Sequence, residues 1–297
     1  MGINLGIIGF GEVGGIFGRG LLGKAGVDAV YAWDLKFADT STGARAAADA
    51  DGIQSVEGMA ALCTKADLLV SAVTASSTLA AAEEAATHAR AGTRFLDLNS
   101  ASPGTKQRAA QVLQAAGVDY VEAGVMTSVP PYGIRVPMLL GGARAAELVK
   151  TLNAWGMDAK AVSERLGVAS AIKMSRSIMI KGLEALVIES YATARRYGVE
   201  AHVLPTLKET FPQIDWDKQG AYFFSRVVQH GKRRAEEMRE SAQTVKEAGF
   251  PPFMASAIAD KQDWVAQMAR DGVFEGVAPN AAWEEYADRI IARTTPQ

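Results

Sequence analysis

The chain has 297 residues, enough for two domains of ordinary size. Acidic and basic side chains nearly balance, 33 against 31, for a formal net charge of −2, which excludes an electrostatically driven binder of nucleic acid or of a membrane surface. Hydrophobic residues make up 48% of the chain, ample for a core, but none of the apolar runs approaches the roughly 18 residues a bilayer span needs.

Residues 3–8 form a short apolar run of the length of a fully buried parallel strand. The first residues lead straight into it, so no signal peptide is expected. Cys63 is the only cysteine, so no intrachain disulfide forms, and a reduced, cytoplasmic setting is expected. Its neighbours Ala60, Ala61 and Leu62 suggest a small core residue rather than a reactive thiol. Gly9, Gly11 and Gly14 follow the strand with the spacing G-x-G-x-x-G. A helix then begins, with Val13, Ile16, Phe17, Leu21 and Leu22 on one face. In such a turn the first glycine permits the tight bend, the second lets a pyrophosphate approach the backbone, and the third allows close helix–strand packing. The helix N-terminus offers N–H groups and a partial positive charge to the phosphates.

A second apolar strand, residues 29–33, ends in Asp34, about 20 residues beyond the last of these glycines, where a carboxylate can hold both ribose hydroxyls of an adenosine. Strand, glycines, helix and second strand in this order predict a dinucleotide site built by Gly9, Phe10, Gly11, Glu12, Val13, Gly14 and Asp34, with Thr74 and Asn99 assigned to it as well. Asp34 favours NAD. Lys36 and Arg45 keep NADP open, since either could neutralise an added phosphate.

Further strands read at residues 68–73, 94–99, 119–123 and 137–142. Helices between and after them read at 78–91, through Val112 and Leu113 to a stop at Gly117, and at 143–155. Strands alternating with helices predict a parallel, doubly wound α/β sheet, the Rossmann arrangement, over residues 1–164. The pattern then turns all-helical over 165–297. Residues 168–197 lack proline and predict one interdomain helix of roughly 45 Å, ended by Gly198. More helices read at 216–247, with a possible break at Gly231, and at 254–271 and 281–294. His88, His202 and His230 are scattered, so a histidine-based metal site is not expected.

With both halves in this order, the chain resembles the β-hydroxyacid dehydrogenase family, which includes 3-hydroxyisobutyrate and 6-phosphogluconate dehydrogenases. Asp97-Leu98-Asn99-Ser100-Ala101-Ser102-Pro103 is similar to the family's substrate motif D-x-S-T-x-x-P. Gly167-Val168-Ala169-Ser170-Ala171-Ile172-Lys173 is similar to G-x-G-x-x-x-K, which ends in the catalytic lysine, with Ala169 in place of the second glycine. The Ser-Gly-Gly substrate loop corresponds to Met126-Thr127-Ser128, the asparagine four residues past the lysine to Ser177, and a deeper lysine to Glu236. These departures resemble a divergent, phosphogluconate-dehydrogenase-like branch. The resemblance implies hydride transfer between a nicotinamide cofactor and a small hydroxy acid or related alcohol, without naming the substrate.

The residues support such chemistry. Alcohol oxidation sends a proton to a base, and a lysine serves when burial or a neighbouring cation lowers its pKa. Lys173 opens the long apolar helix, with Arg176 one turn on and Ser177 at i+4 to orient the same substrate oxygen. Ser100, Ala101, Met126, Thr127 and Ser128 are candidates for holding substrate. Arg176, His230, Arg233 and Arg234 are candidates for its carboxylate or phosphate, although Lys232 to Glu237 reads equally as an ordinary solvated helix face. Met126, Tyr132, Met179, Tyr222 and Phe223 could line a pocket, or simply core or interface. Two alternatives stand beside this reading: an imine (C=N) reductase on the same fold, and a non-catalytic dinucleotide sensor. A homodimer formed through the helical half is expected, with a small-molecule substrate and neither nucleic acid nor membrane as partner.

Overall fold

The computed structural model describes residues 2–294. The apolar runs become strands because both faces of the sheet are covered. β1 (Ile3–Ile8) is buried from Leu5 onward and turns through the glycines into α1 (Glu12–Leu21). After β2 (Val27–Trp33) come α2 (Ala44–Ala50), the short β3 (Gln54–Ser55), α3 (Met59–Lys65), β4 (Leu68–Ser71) and α4 (Thr78–His88). β5 (Arg94–Asp97), α5 (Pro103–Ala115), β6 (Asp119–Val125), β7 (Pro137–Gly141), α6 (Ala145–Ala154) and β8 (Asp158–Ser163) complete the α/β part.

Among the described residues these strands form one eight-stranded sheet, ordered β3-β2-β1-β4-β5-β6-β7-β8. Every neighbouring pair is parallel except β6–β7. That pair departs from the all-parallel expectation because residues 126–136 hold only a 3-10 turn, Gly133–Arg135, and not the helix a parallel crossover usually needs. β8 was not expected. Only Ala159 is buried in this edge strand, so it carries no apolar run to be read.

Phe17 and Leu21 of α1, Ala48 of α2, and Leu148 and Leu152 of α6 share one core cluster with sheet residues. Leu62 and Cys63 of α3, Ala82 and Ala85 of α4, and Leu113 of α5 share the other. The result is helix layers on both faces of the sheet. Cys63 is fully buried, and burial, helped by the Glu84 charge, pushes its thiol up to about 11. It is a core residue.

α7 (Val168–Tyr197) is a single helix of 30 residues. The chain divides inside it into two compact units, one ending at Met174 and the other starting at Ser175, somewhat past the 164/165 border expected from the pattern. The second unit continues through α8 (Glu200–Thr210), α9 (Trp216–Glu247), α10 (Phe253–Arg270) and α11 (Trp283–Thr294). Its larger core gathers Tyr191, Phe224, Val227, Trp283 and Tyr286. α8 carries no readable helix pattern, because Pro205 sits in its middle and none of its residues is buried. α9 runs through Gly231 without a break. A Cβ there would lie 2.8 Å from the Gln262 carbonyl of α10, so the glycine is a point of helix contact rather than a stop. Among the described residues no helix is long and apolar enough to cross a membrane.

Candidate active site

The sheet order reverses between β1 and β4, and in open α/β sheets ligands bind at such a switch point, beyond the carboxyl ends of the strands. The glycine turn stands there. Gly9 takes φ 85°, a left-handed conformation that favours glycine. Gly14 permits contact: a Cβ on it would fall 1.9 Å from the Gly9 carbonyl. Gly11 is exposed, and nothing lies within 4 Å of where its Cβ would stand, which leaves a cradle open to a ligand. No side chain caps the N-terminus of α1. Glu12 is exposed and Val13 half-buried in its first turn.

Asp34 closes β2 beside this turn. Its carboxylate accepts the Phe10 N–H at 2.7 Å and the Lys36 N–H at 2.8 Å, which fixes its orientation and leaves lone pairs for further donors. Phe10 also packs against Phe37, with ring centroids 6.0 Å apart. Thr74, exposed past the end of β4, bonds to Ser76 and Ser77. Asn99 is buried, accepting the Val73 N–H at 2.7 Å and donating to Ser71 Oγ at 2.9 Å, so it ties the ends of β4 and β5 together. The glycine cradle, bare helix end and oriented carboxylate fit a dinucleotide's pyrophosphate and ribose.

Ser100 follows on the same edge. Lys173, half-buried in the first turns of α7, donates from Nζ to Ser100 Oγ at 2.6 Å, across 73 positions of chain. Ala101 beside it is fully buried and presents no polar side chain. Past β6, Met126 and Ser128 are half-buried, while Thr127 and Tyr132 are exposed.

Residues 4–151 match the family model described as the NAD binding domain of 6-phosphogluconate dehydrogenase, and residues 194–265 match a domain of unknown function, DUF1932. A conserved hypothetical protein from Sinorhizobium meliloti 1021 is 37% identical over 99% of this chain and 97% of its own, with a TM-score of 0.77. A second conserved protein, whose structure is described as similar to 3-hydroxyacid dehydrogenases, is 29% identical over 90% of this chain and 98% of its own, with a TM-score of 0.69. The chain belongs to the β-hydroxyacid dehydrogenase-like family.

Membership makes the protein an oxidoreductase-type chain with a nicotinamide-dinucleotide domain. The fold alone is shared more widely. A 3-hydroxyisobutyrate dehydrogenase from Salmonella typhimurium is 19% identical over 97% of this chain and 99% of its own (TM-score 0.67). A reductive aminase from Aspergillus terreus is 18% identical over 98% and 99% respectively (TM-score 0.55).

In the second unit of this family member, Ser177 is buried and accepts a 3.3 Å hydrogen bond from Lys181, which itself pairs with Glu237 at 2.7 Å. Arg176 is exposed. His230 and Arg233 line an open groove with Gly231, Lys232 and Arg270. Arg234 forms a buried pair with Glu184, so the carboxylate it holds is the protein's own. Glu236 is half-buried on α9.

Three buried polar residues near the site went unread in the sequence. Lys106 and Tyr120 both hold Asp97, and Glu122 holds the start of α7. A lysine in a 13-residue helix of low apolar content, or a carboxylate in a seven-residue strand, carries no local mark of burial. For Glu122 the sequence offers only that it is the one charge within residues 120–125. Burial and the charges of Asp97 and Glu122 push the Tyr120 phenol well above its ordinary pKa, so it stays a donor to Asp97 Oδ2, at 2.7 Å.

Proposed function

We propose that this protein transfers a hydride between a nicotinamide cofactor and the hydroxyl-bearing carbon of a small hydroxy acid or related alcohol, with Lys173 as general acid–base. The observation that carries the reading is the 2.6 Å contact between Lys173 Nζ and Ser100 Oγ, on the strand edge that also bears the glycine cradle. The cofactor, when bound, supplies the hydride acceptor or donor. The chain's residues do the rest. Gly11 and the N-terminus of α1 receive the pyrophosphate, and Asp34 accepts the ribose hydroxyls. Ser100 and Lys173 converge on one oxygen. In oxidation the Lys173 amine takes the hydroxyl proton as the C–H hydride departs; in reduction the ammonium returns it.

NAD is the preferred form in this reading, because a 2′-phosphate would meet the Asp34 charge. Arg45 is engaged by Ser55 at 3.2 Å and Glu57 at 3.1 Å, which weakens its claim as a phosphate partner. We take the working form to be a homodimer assembled through the helical unit.

The test is turnover of lactate, glycerate, 3-hydroxypropionate, 3-hydroxyisobutyrate, 1-phenylethanol and gluconate, read by nicotinamide absorbance with NAD and NADP. In Lys173→Met, kcat should fall about 10²- to 10⁴-fold, with dinucleotide affinity nearly intact. Methionine keeps the apolar bulk of the side chain and loses only the proton acceptor. Near-normal kcat in that variant would place the base elsewhere. Reduction of cyclic imines without turnover of any alcohol would favour the imine reductase. Tight dinucleotide binding without either activity would favour the sensor.

A further inference from the structure

β6 carries a carboxylate that the proposed chemistry leaves unused. Glu122 is fully buried. Its oxygens accept the backbone N–H groups of Gly167 at 2.7 Å, Ala169 at 3.1 Å and Ser170 at 3.3 Å, and the Ser170 hydroxyl at 2.6 Å. These donors are the opening of α7, the positions that lack a partner in any helix and that a negative charge stabilises most. We propose that Glu122 is a positioning residue for Lys173: it caps α7 from the sheet and so sets the lysine amine against Ser100. The inference rests on the reading of Lys173 as the acid–base group.

The packing around Glu122 is shaped for this task. Gly141 stands opposite it across the β6–β7 pair, and a Cβ there would fall 2.6 Å from Glu122 Oε1. Gly124, next but one along β6, would bring a Cβ within 2.9 Å of the Ala169 carbonyl and 3.4 Å of Lys173 Cβ. One stretch of β6 therefore both anchors the first turn of α7 and, by keeping a glycine at 124, leaves room beside the lysine's stem. Lys173 follows Ser170 by three residues, on the neighbouring turn of the same helix side. A helix start that slips by about 1 Å carries the amine with it, and misplacement on that scale can cost about 100-fold in rate.

Glu122→Gln tests the proposal, since it keeps the shape and turns one acceptor into an amide donor facing N–H groups. Amide hydrogen exchange at Gly167, Ala169 and Ser170 should rise about 10- to 100-fold. With the best substrate of the panel above, kcat should fall about 10- to 100-fold, and the dissociation constant for NAD should change less than about twofold, because Glu122 touches none of the dinucleotide residues. Combined with Lys173→Met, Glu122→Gln should add no further loss, the signature of a residue acting through another. Wild-type kcat in Glu122→Gln beside an inactive Lys173→Met would overturn the proposal, as would losses that multiply in the double variant. Full turnover in Lys173→Met would instead sink the acid–base reading, and the exchange data would then decide alone whether Glu122 holds the helix. If Glu122→Gln does not fold, Ser170→Ala removes the 2.6 Å bond and carries the same test, with an expected loss of about threefold to tenfold.

Discussion

Asp97 shows how much a single buried side chain can carry. Lys106 Nζ stands 2.8 Å from its carboxylate with both side chains at most 1% exposed, and also donates to the Asp97 carbonyl at 3.0 Å. Tyr120 and the Asn99 N–H donate to it as well, so three donors engage a carboxylate with about four acceptor sites. Lys106→Met should therefore cost about 3–5 kcal/mol, because it strands a carboxylate in the core. Arg19→Met, which breaks the half-exposed pair with Asp51, should cost less than about 1 kcal/mol. Urea unfolding of both variants checks the contrast, and equal losses would mean that Asp97 does not depend on Lys106 as a partner. The same burial fixes the alkaline behaviour. The Cys63 thiol is held up to about 11 against an ordinary 9.0, so above pH 9 the unfolded chain releases a proton the folded one keeps. Stability from this group is complete below pH 9 and lost as pH rises toward 11. Cys63→Ala should flatten the fall of the melting temperature across that window.

At the level of elements, the glycines of the first turn separate fold from binding. Gly14→Ala places a Cβ 1.9 Å from the Gly9 carbonyl, so the turn must open, and both melting temperature and NAD affinity should drop. Gly11→Ala meets no protein atom within 4 Å. Its melting temperature should stay within about 2 °C of wild type, since surface changes usually lie within about 0.5 kcal/mol, while NAD affinity should weaken at least about tenfold from crowding the pyrophosphate. Calorimetry beside fluorescence titration checks both. Unchanged affinity in Gly11→Ala would remove the cradle from the dinucleotide site. The second unit has its own test in Gly231, where α9 and α10 touch. Gly231→Ala sets a Cβ 2.8 Å from the Gln262 carbonyl and 3.0 Å from Ala266 Cβ, and should destabilise the unit by about 1–3 kcal/mol despite alanine's better helix propensity. A stabilised variant would show that the two helices can separate without cost.

For the molecule as a whole, the helical unit leaves large apolar side chains uncovered, among them Met179, Leu186, Phe253 and Met254, all more than half exposed. A homodimer formed through this unit would cover such side chains. Sedimentation equilibrium at micromolar concentration should return twice the 31.4 kDa chain mass, and Leu186→Glu should shift it toward the monomer. A wild-type monomer would leave that surface without its expected partner.

Local pattern alone determined the dinucleotide half, because a glycine turn, its flanking strand and helix, and Asp34 are set by steric rules acting within about 35 residues. The long uninterrupted α7 and the switch from alternating strands to helices were equally legible, being matters of periodicity and length. Lys173 and Ser100 stood out by motif, but only the folded sheet brings them to 2.6 Å. What tertiary structure decided has a common physical cause. The antiparallel turn of β7, the exposed edge strand β8 and the helix around Pro205 depend on neighbours that supply the missing pairing or cover. Glu122 and Lys106 carry no sequence pattern that singles them out, and Arg234 reads equally as a substrate-anion candidate or a solvated helix face until the chain closes over it. A charge survives in a core only when distant groups satisfy it, and the partners of Glu122 lie 45 or more positions away.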